Sequence, residues 1–165
     1  MIRPAEPSDT PDLVALAVAT GLFQPDEADL LLRGVLDALH ADSLGDDHVA
    51  QVWADDQTGR PEAWVYFSRN PMTNQTWDLW WIGVRPERHG EGIGDELLKF
   101  VEDHVRSANG RILIIETSSL PKLERTRRFY ARRGYVQCGQ VPDFYADGDD
   151  KVIFAKRMSG LVCGT

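Results

Sequence analysis

The sequence predicts an α+β fold in α/β/α layers, built on a mixed central sheet of about six to seven strands with four helices. Three observations carry this expectation. Between residues 48 and 84, strand-like segments alternate with turn-rich ones, the pattern of antiparallel strands joined by hairpins. A glycine-rich turn then leads from strand 77–84 into a helix whose apolar positions Ile93, Leu97, Val101 and Val105 recur with a period near 3.6. That helix stops near Asn109-Gly110, and the β-branched, apolar run 111–117 follows it, a strand–helix–strand crossover that pairs its two strands in parallel.

The remaining elements follow in order. Ile2-Arg3-Pro4 reads as a short strand, and Ser8 or Asp9 caps a helix running to about Thr20, where Gly21 stops it. Leu22 and Phe23 are apolar residues in a predicted loop, placed either to cover a substrate or to pack into the core. Pro25 stands in the first turn of a second helix that ends near His40. Strands 49–53 and 63–67 form a hairpin around Asp55-Asp56-Gln57-Thr58-Gly59, and Asn70-Pro71-Met72-Thr73-Asn74 turns into the strand that ends at Val84. Leu120-Pro121 opens the last helix, which Gly134 terminates in a left-handed cap. Strands 135–141 and 151–156 complete the chain, with Asp147-Gly148-Asp149-Asp150 between them. Residues 1–158 are expected to form a single domain and 159–165 a flexible tail.

Composition narrows the function. The formal net charge of −8 argues against general nucleic-acid binding, which needs a basic footprint. The charge is uneven: Lys122, Arg125, Arg127, Arg128, Arg132 and Arg133 form a basic island relieved only by Glu124. No apolar run reaches about 18 residues, and Asp9 and Asp12 stand where a signal peptide would be basic and apolar. A cytoplasmic protein with no membrane partner is expected. The two cysteines, Cys138 and Cys163, are too few for a disulfide framework and read as free thiols. His40, His48, His89 and His104 show no metal-ligand spacing, so no metal is expected.

The stretch Val84-Arg85-Pro86-Glu87-Arg88-His89-Gly90-Glu91-Gly92-Ile93-Gly94-Asp95 concentrates the functional signal. Glycines at every second position let backbone approach a ligand, and their N–H groups collect at the positive end of the following helix, an anion-binding arrangement. It is not a dinucleotide fingerprint, because a five-residue polar arm separates the strand from Gly90, and no Gly-Lys-Ser/Thr ending marks a P-loop. The stretch resembles motif A of the GNAT superfamily of acetyl-CoA-dependent N-acetyltransferases, Q/R-x-x-G-x-G/A, with His89 in the Gln/Arg place. Thr126-Arg127-Arg128-Phe129-Tyr130-Ala131-Arg132-Arg133-Gly134-Tyr135 resembles that family's motif B. The resemblance is specific from about Asp78 to Tyr135, and before that it rests on element order.

This resemblance implies a GNAT-like fold and acetyl-CoA as co-substrate, held by the backbone of Ile82, Gly83 and Val84, by His89, Gly90, Glu91, Gly92, Ile93, Gly94 and Asp95, and by Thr126 and Phe129. It implies direct attack of a primary amine, small-molecule or peptide, on the thioester, with Tyr130 beside the sulfur as acid or hydrogen-bond donor. Arg127 and Arg133, one turn away, would assist by lowering the phenol's pKa. Other outcomes kept open are a longer acyl-CoA, a non-catalytic coenzyme A-binding module, and a homodimer.

A base is needed because a lysine-like ammonium of pKa about 10.4 is almost wholly protonated near neutrality. Alternation along strand 77–84 projects Asp78, Trp80, Ile82 and Val84 to one face. Asp78 also holds the place of the glutamate base of histone-acetylating family members. Glu116, a carboxylate at the end of an apolar strand, is the rival, and Tyr145 a third candidate near the substrate. The first 62 residues contain thirteen Asp and Glu against Arg3, Arg33 and Arg60, which favours a cationic acceptor.

Overall fold

The computed structural model describes residues 1–158; Cys163 and the expected tail 159–165 lie outside them. A seven-stranded mixed sheet and four helices make up the fold, as the sequence predicts. The elements are β1 (Ile2–Pro4), α1 (Thr10–Ala19), α2 (Pro25–Ala28), α3 (Gly34–His40), β2 (His48–Ala54), β3 (Pro61–Arg69), β4 (Thr76–Val84), α4 (Ile93–Ser107), β5 (Ile112–Ser118), α5 (Glu124–Arg132), β6 (Val136–Ala146) and β7 (Asp149–Arg157). A π-helical turn over Asp29–Arg33 joins α2 and α3 into one helix. The strand order is β1-β2-β3-β4-β5-β7-β6.

The chain divides into two compact units, Met1–Ser68 with Trp80–Val101, and Arg69–Leu79 with the chain from Glu102 onward. In the first unit β1, β2 and β3 pair antiparallel. The β2–β3 turn is held by Asp55, whose Oδ1 accepts from the N–H groups of Gln57 and Thr58. Leu13, Leu16 and Ala17 of α1 join Ala28, Leu32 and Leu36 of the second helix against Val52, Trp64, Tyr66 and Trp81. Leu22 and Phe23 pack on this core, with the Phe23 ring 5.4 Å from Trp81, which decides for packing over an exposed cover. Asp9 stands at the N-cap position of α1, one of the two residues expected there, but its side chain makes no cap hydrogen bond to the helix. A 3-10 turn, Pro7–Asp9, precedes the helix, and the Asp9 carboxylate reaches back to the Glu6 N–H and to both terminal nitrogens of Arg3.

In the second unit β5 lies parallel to β4, and β7 is antiparallel to both β5 and β6. The β6–β7 connection is tighter than predicted, because the strands extend to Ala146 and from Asp149 and leave only Asp147-Gly148 between them. Gly134, at φ +82°, ends α5 as expected. Glu102 is a buried acid whose carboxylate accepts from Tyr135 Oη (3.1 Å), Lys156 Nζ (2.8 Å) and Arg106 Nη2 (2.8 Å). Its three donors offset the cost of burying the charge. The stripe Ile93, Leu97, Val101 and Val105 on α4 is buried throughout.

β4 alternates strictly, with Trp77, Leu79, Trp81 and Gly83 buried and Asp78, Trp80, Ile82 and Val84 on the accessible side. Gly83 is required by packing, since a Cβ there would lie 2.5 Å from Trp81 Cζ2 and 3.3 Å from Leu16 Cδ2. We expect Gly83→Ala to cost about 1–3 kcal/mol by overpacking, read as a lower denaturant midpoint at unchanged slope; an unchanged midpoint would show that Trp81 yields freely.

Candidate active site

The glycine turn belongs to the first unit, and the side chains around it hold each other. Arg85 donates from Nε to Glu62 Oε2 (2.7 Å) and from its N–H to the Glu62 carbonyl (2.8 Å). Arg88 donates from Nε to both oxygens of Glu91 (2.9 Å) and from Nη1 to Asp55 Oδ2 (3.3 Å), and lies over the Trp53 ring. His89 donates from Nε2 to the Val84 carbonyl at 3.0 Å, which requires the proton on that nitrogen. The cationic side chains of the arm therefore brace the turn itself.

Gly90 and Gly92 have φ of +92° and +85°, a region that side chains rarely adopt, and a Cβ at either would stand in open space. The Gly92 carbonyl accepts from the N–H groups of Asp95 (3.0 Å) and Glu96 (3.1 Å), the first helical bonds of α4. The N–H groups of Ile93 and Gly94 precede these bonds, at the positive end of the helix dipole. Trp53 Nε1 pins this turn through Glu96 Oε2 at 2.8 Å. Ile93 is buried, so its contribution is its N–H.

The second unit holds the titratable candidates. Asp78 is half-buried; its Oδ2 is inaccessible and accepts no hydrogen bond among the described residues, while Asn70 donates to the carboxyl. Burial, and then the charge of Glu116, push its pKa above the ordinary carboxylate value, against the opposing hydrogen bond of Asn70. Glu116 pairs with Lys151 Nζ at 2.6 Å. Tyr145 is half exposed, edge-on to Phe144, and its phenol is raised by burial and then by Glu116 and Asp149. The structure thus gathers Asp78, Glu116 and Tyr145 into one cluster. Sequence reasoning missed Asn70 and Lys151; the signal for Lys151 was a lone cation beginning an apolar strand, which only the β5–β7 register connects to Glu116.

Tyr130 sits among aromatic rings, with centroids 5.5 Å from Phe129, 6.0 Å from Tyr135 and 5.9 Å from Phe154. The expected help from arginines is corrected. Arg127 donates from Nη1 to the carbonyls of Ser118 (2.7 Å) and Leu120 (3.0 Å), Arg133 lies over Phe129, and burial pushes the phenol's pKa well up. Thr126 and Phe129 are half-buried on the same helix.

Comparison with known proteins adds the following. The model of the acetyltransferase (GNAT) family matches residues 19–135. A crystal structure from Desulfovibrio desulfuricans, of a protein assigned to the GNAT family, shares 33% identity with a TM-score of 0.86, covering 96% of this chain and 99% of that one. The chain is 35% identical over 77 residues to an uncharacterized N-acetyltransferase of Methanocaldococcus jannaschii, 46% of this chain and 48% of that protein, so the match spans about half the length of that curated relative. An aminoglycoside 6'-N-acetyltransferase complexed with coenzyme A shares the fold at 16% identity, with a TM-score of 0.72 over 97% of this chain and 98% of that one.

The raised proton affinity of Asp78 carries a stability consequence whose sign is fixed. Between its unfolded and folded pKa values the folded state binds more protons, so this group's contribution to stability declines as pH rises through that window. Asp78→Asn should therefore melt higher than wild type at neutral pH, with the difference shrinking as pH falls toward 4. A variant destabilised equally at every pH would contradict this account.

Proposed function

The chain belongs to the GNAT acetyltransferase family, and from that premise we propose that it transfers acetyl from acetyl-CoA to a primary amine by direct attack. The observation that carries the reading is the glycine turn at the head of α4, with open space at Gly90 and Gly92 and cationic neighbours already engaged. Main-chain N–H groups of Gly90 to Gly94 would hold the pyrophosphate, the Asp95 N–H being taken by the Gly92 carbonyl. Those of Ile82 to Val84 would meet the pantetheine and the developing oxyanion, one such donor being worth on the order of 10²–10³ in rate. Gly83 adds no side chain there, because its missing Cβ makes room for Trp81.

Asp78 is the proposed base. A carboxylate with raised proton affinity is better matched to removing the ammonium proton than an ordinary one. Among the described residues it also carries no ion-pair partner to oppose protonation, whereas Glu116 is held by Lys151. Tyr130 is the proposed donor to the leaving sulfur. Its buried phenol holds its proton more tightly than usual, so outright transfer to a thiolate is further uphill and a hydrogen bond to developing charge is the role that fits. The acidic first 62 residues support a cationic acceptor.

Time-dependent release of free thiol from acetyl-CoA over a panel of cationic and neutral amines tests the reading. Turnover with cationic amines is expected, and binding without release would leave a coenzyme A-binding module. In the same series Gly92→Val should weaken acetyl-CoA binding far more than His89→Ala, as judged by calorimetry; equal losses would move the role from the backbone to the imidazole.

Tyr130→Phe should lower kcat about 10–10³-fold, the range of one lost transition-state donor, with acetyl-CoA affinity nearly unchanged. Wild-type turnover in this variant would exclude Tyr130.

A further inference from the structure

The register of the second unit connects Glu116 and Lys151 to Asp78. Parallel pairing sets Asp78 across from Ile114, and Glu116 lies two residues further along β5, on the same face. Antiparallel pairing sets Ile153 across from Glu116 and Lys151 across from Ser118, again on that face. Lys151 Nζ is 2.6 Å from Glu116 Oε2, and the lysine side chain is 15% exposed against 40% for the glutamate. The same ammonium lies 3.7 Å from the centroid of the Phe144 ring, which holds it in place over the carboxylate. Acid, acid and base thus stand in a row across β4, β5 and β7.

We propose that Glu116 and Lys151 are positioning residues that set the proton affinity of Asp78: Glu116 strengthens its hold on a proton, and Lys151, paired to Glu116, limits that effect. This rests on the reading of Asp78 as the base. Like charges disfavour joint ionisation, so the nearer and less compensated Glu116 is, the more basic Asp78 becomes. Within this unit the other groups around the row are Asn70, a neutral donor to Asp78, and Tyr145, whose raised phenol stays neutral and faces Glu116 and Asp149. Asp149 itself accepts from Ser118 Oγ at 2.5 Å. Among the described residues, Glu116 is the charged neighbour that acts on Asp78.

The arrangement dictates opposite signs for two substitutions. Glu116→Gln removes the repulsion, and Asp78 should lose its proton at lower pH. Lys151→Met leaves Glu116 uncompensated, and Asp78 should keep its proton to higher pH. Lys151→Arg retains the charge and should keep the wild-type midpoint.

A carboxyl ¹³C NMR titration of the full chain without acetyl-CoA, with Asp78→Asn identifying the resonance, reads this directly. Shifts of roughly half a pH unit or more are expected in the two directions, and the acid limb of kcat/KM should follow them. Midpoints that do not move, or that move the same way in both variants, overturn the proposal. Should Glu116→Gln fail to fold by circular dichroism, the Lys151→Met and Lys151→Arg pair decides alone. Loss of turnover at every pH in Glu116→Gln, with the Asp78 midpoint unmoved, would make Glu116 the base and overturn it too. Because the titration needs no acetyl-CoA, opposite shifts in a protein that acetylates no amine would keep the electrostatic couple and remove only the acetyl-transfer reading.

Discussion

The two-residue period of β4 is the constraint on which the candidate site depends. Trp77, Leu79 and Trp81 are large and apolar, and the packed interior accepts them only if every second residue turns inward. That fixes the opposite set without reference to chemistry: Asp78, Trp80, Ile82 and Val84 must face out. A slip of one residue would place an aspartate in the core and three aromatic or aliphatic side chains in water. Gly83 completes the inward set because Trp81 occupies the volume its side chain would need. The last residues of β4 therefore present main chain and modest aliphatic groups on the accessible side, a surface suited to recognising an extended ligand through its amide groups.

If the turn that follows holds phosphate through its main chain, as proposed, side-chain identity there carries little weight. Phosphate recognition by a helix N-terminus uses N–H groups common to all residues, provided the backbone can take the required shape. The sequence supplies that shape through Gly90 and Gly92 at positive φ. The arm then needs to be held, and Arg85, Arg88 and His89 do this by bonding to Glu62, to Asp55 and Glu91, and to the Val84 carbonyl. A histidine in place of Gln or Arg is accommodated because its hydrogen bond goes to the protein's own backbone.

What the sequence revealed and what it hid follow from how local each feature is. The α4 stripe, the hairpin turn at Asp55, the glycine turn and the caps at Gly21 and Gly134 are written within windows of a few residues, and each appears where the pattern places it. The insertion of β7 between β5 and β6 is not written locally, and the Lys151–Glu116 ion pair and the Glu102 cluster depend on non-local packing of this kind. The arginines flanking Tyr130 illustrate the same limit. Spacing of one helical turn allows an approach to the phenol, but the carbonyls of Ser118 and Leu120 and the ring of Phe129 compete for those cations and take them.

Two aspartates show how far environment alone separates one residue type into different roles. Asp9 is buried, yet Arg3 grips both its oxygens and the Glu6 N–H adds a third bond. Although burial is the largest single influence and acts upward, these donors together hold its pKa below the ordinary value. Asp78 is also withdrawn from water, but it has one neutral donor in Asn70 and a second carboxylate as its charged neighbour, so burial prevails and its pKa rises. By linkage, Asp9 contributes stability that is lost on acidification through its folded pKa, whereas ionised Asp78 weakens the fold as pH rises. Near neutral pH the fold would gain by replacing Asp78 with a neutral residue, since among the described residues no cation pairs with its charge. That asymmetry supports the proposed division, with Asp9 serving the fold and Asp78 the chemistry, because a carboxyl of raised proton affinity on the accessible side of β4 is a candidate for taking up a proton.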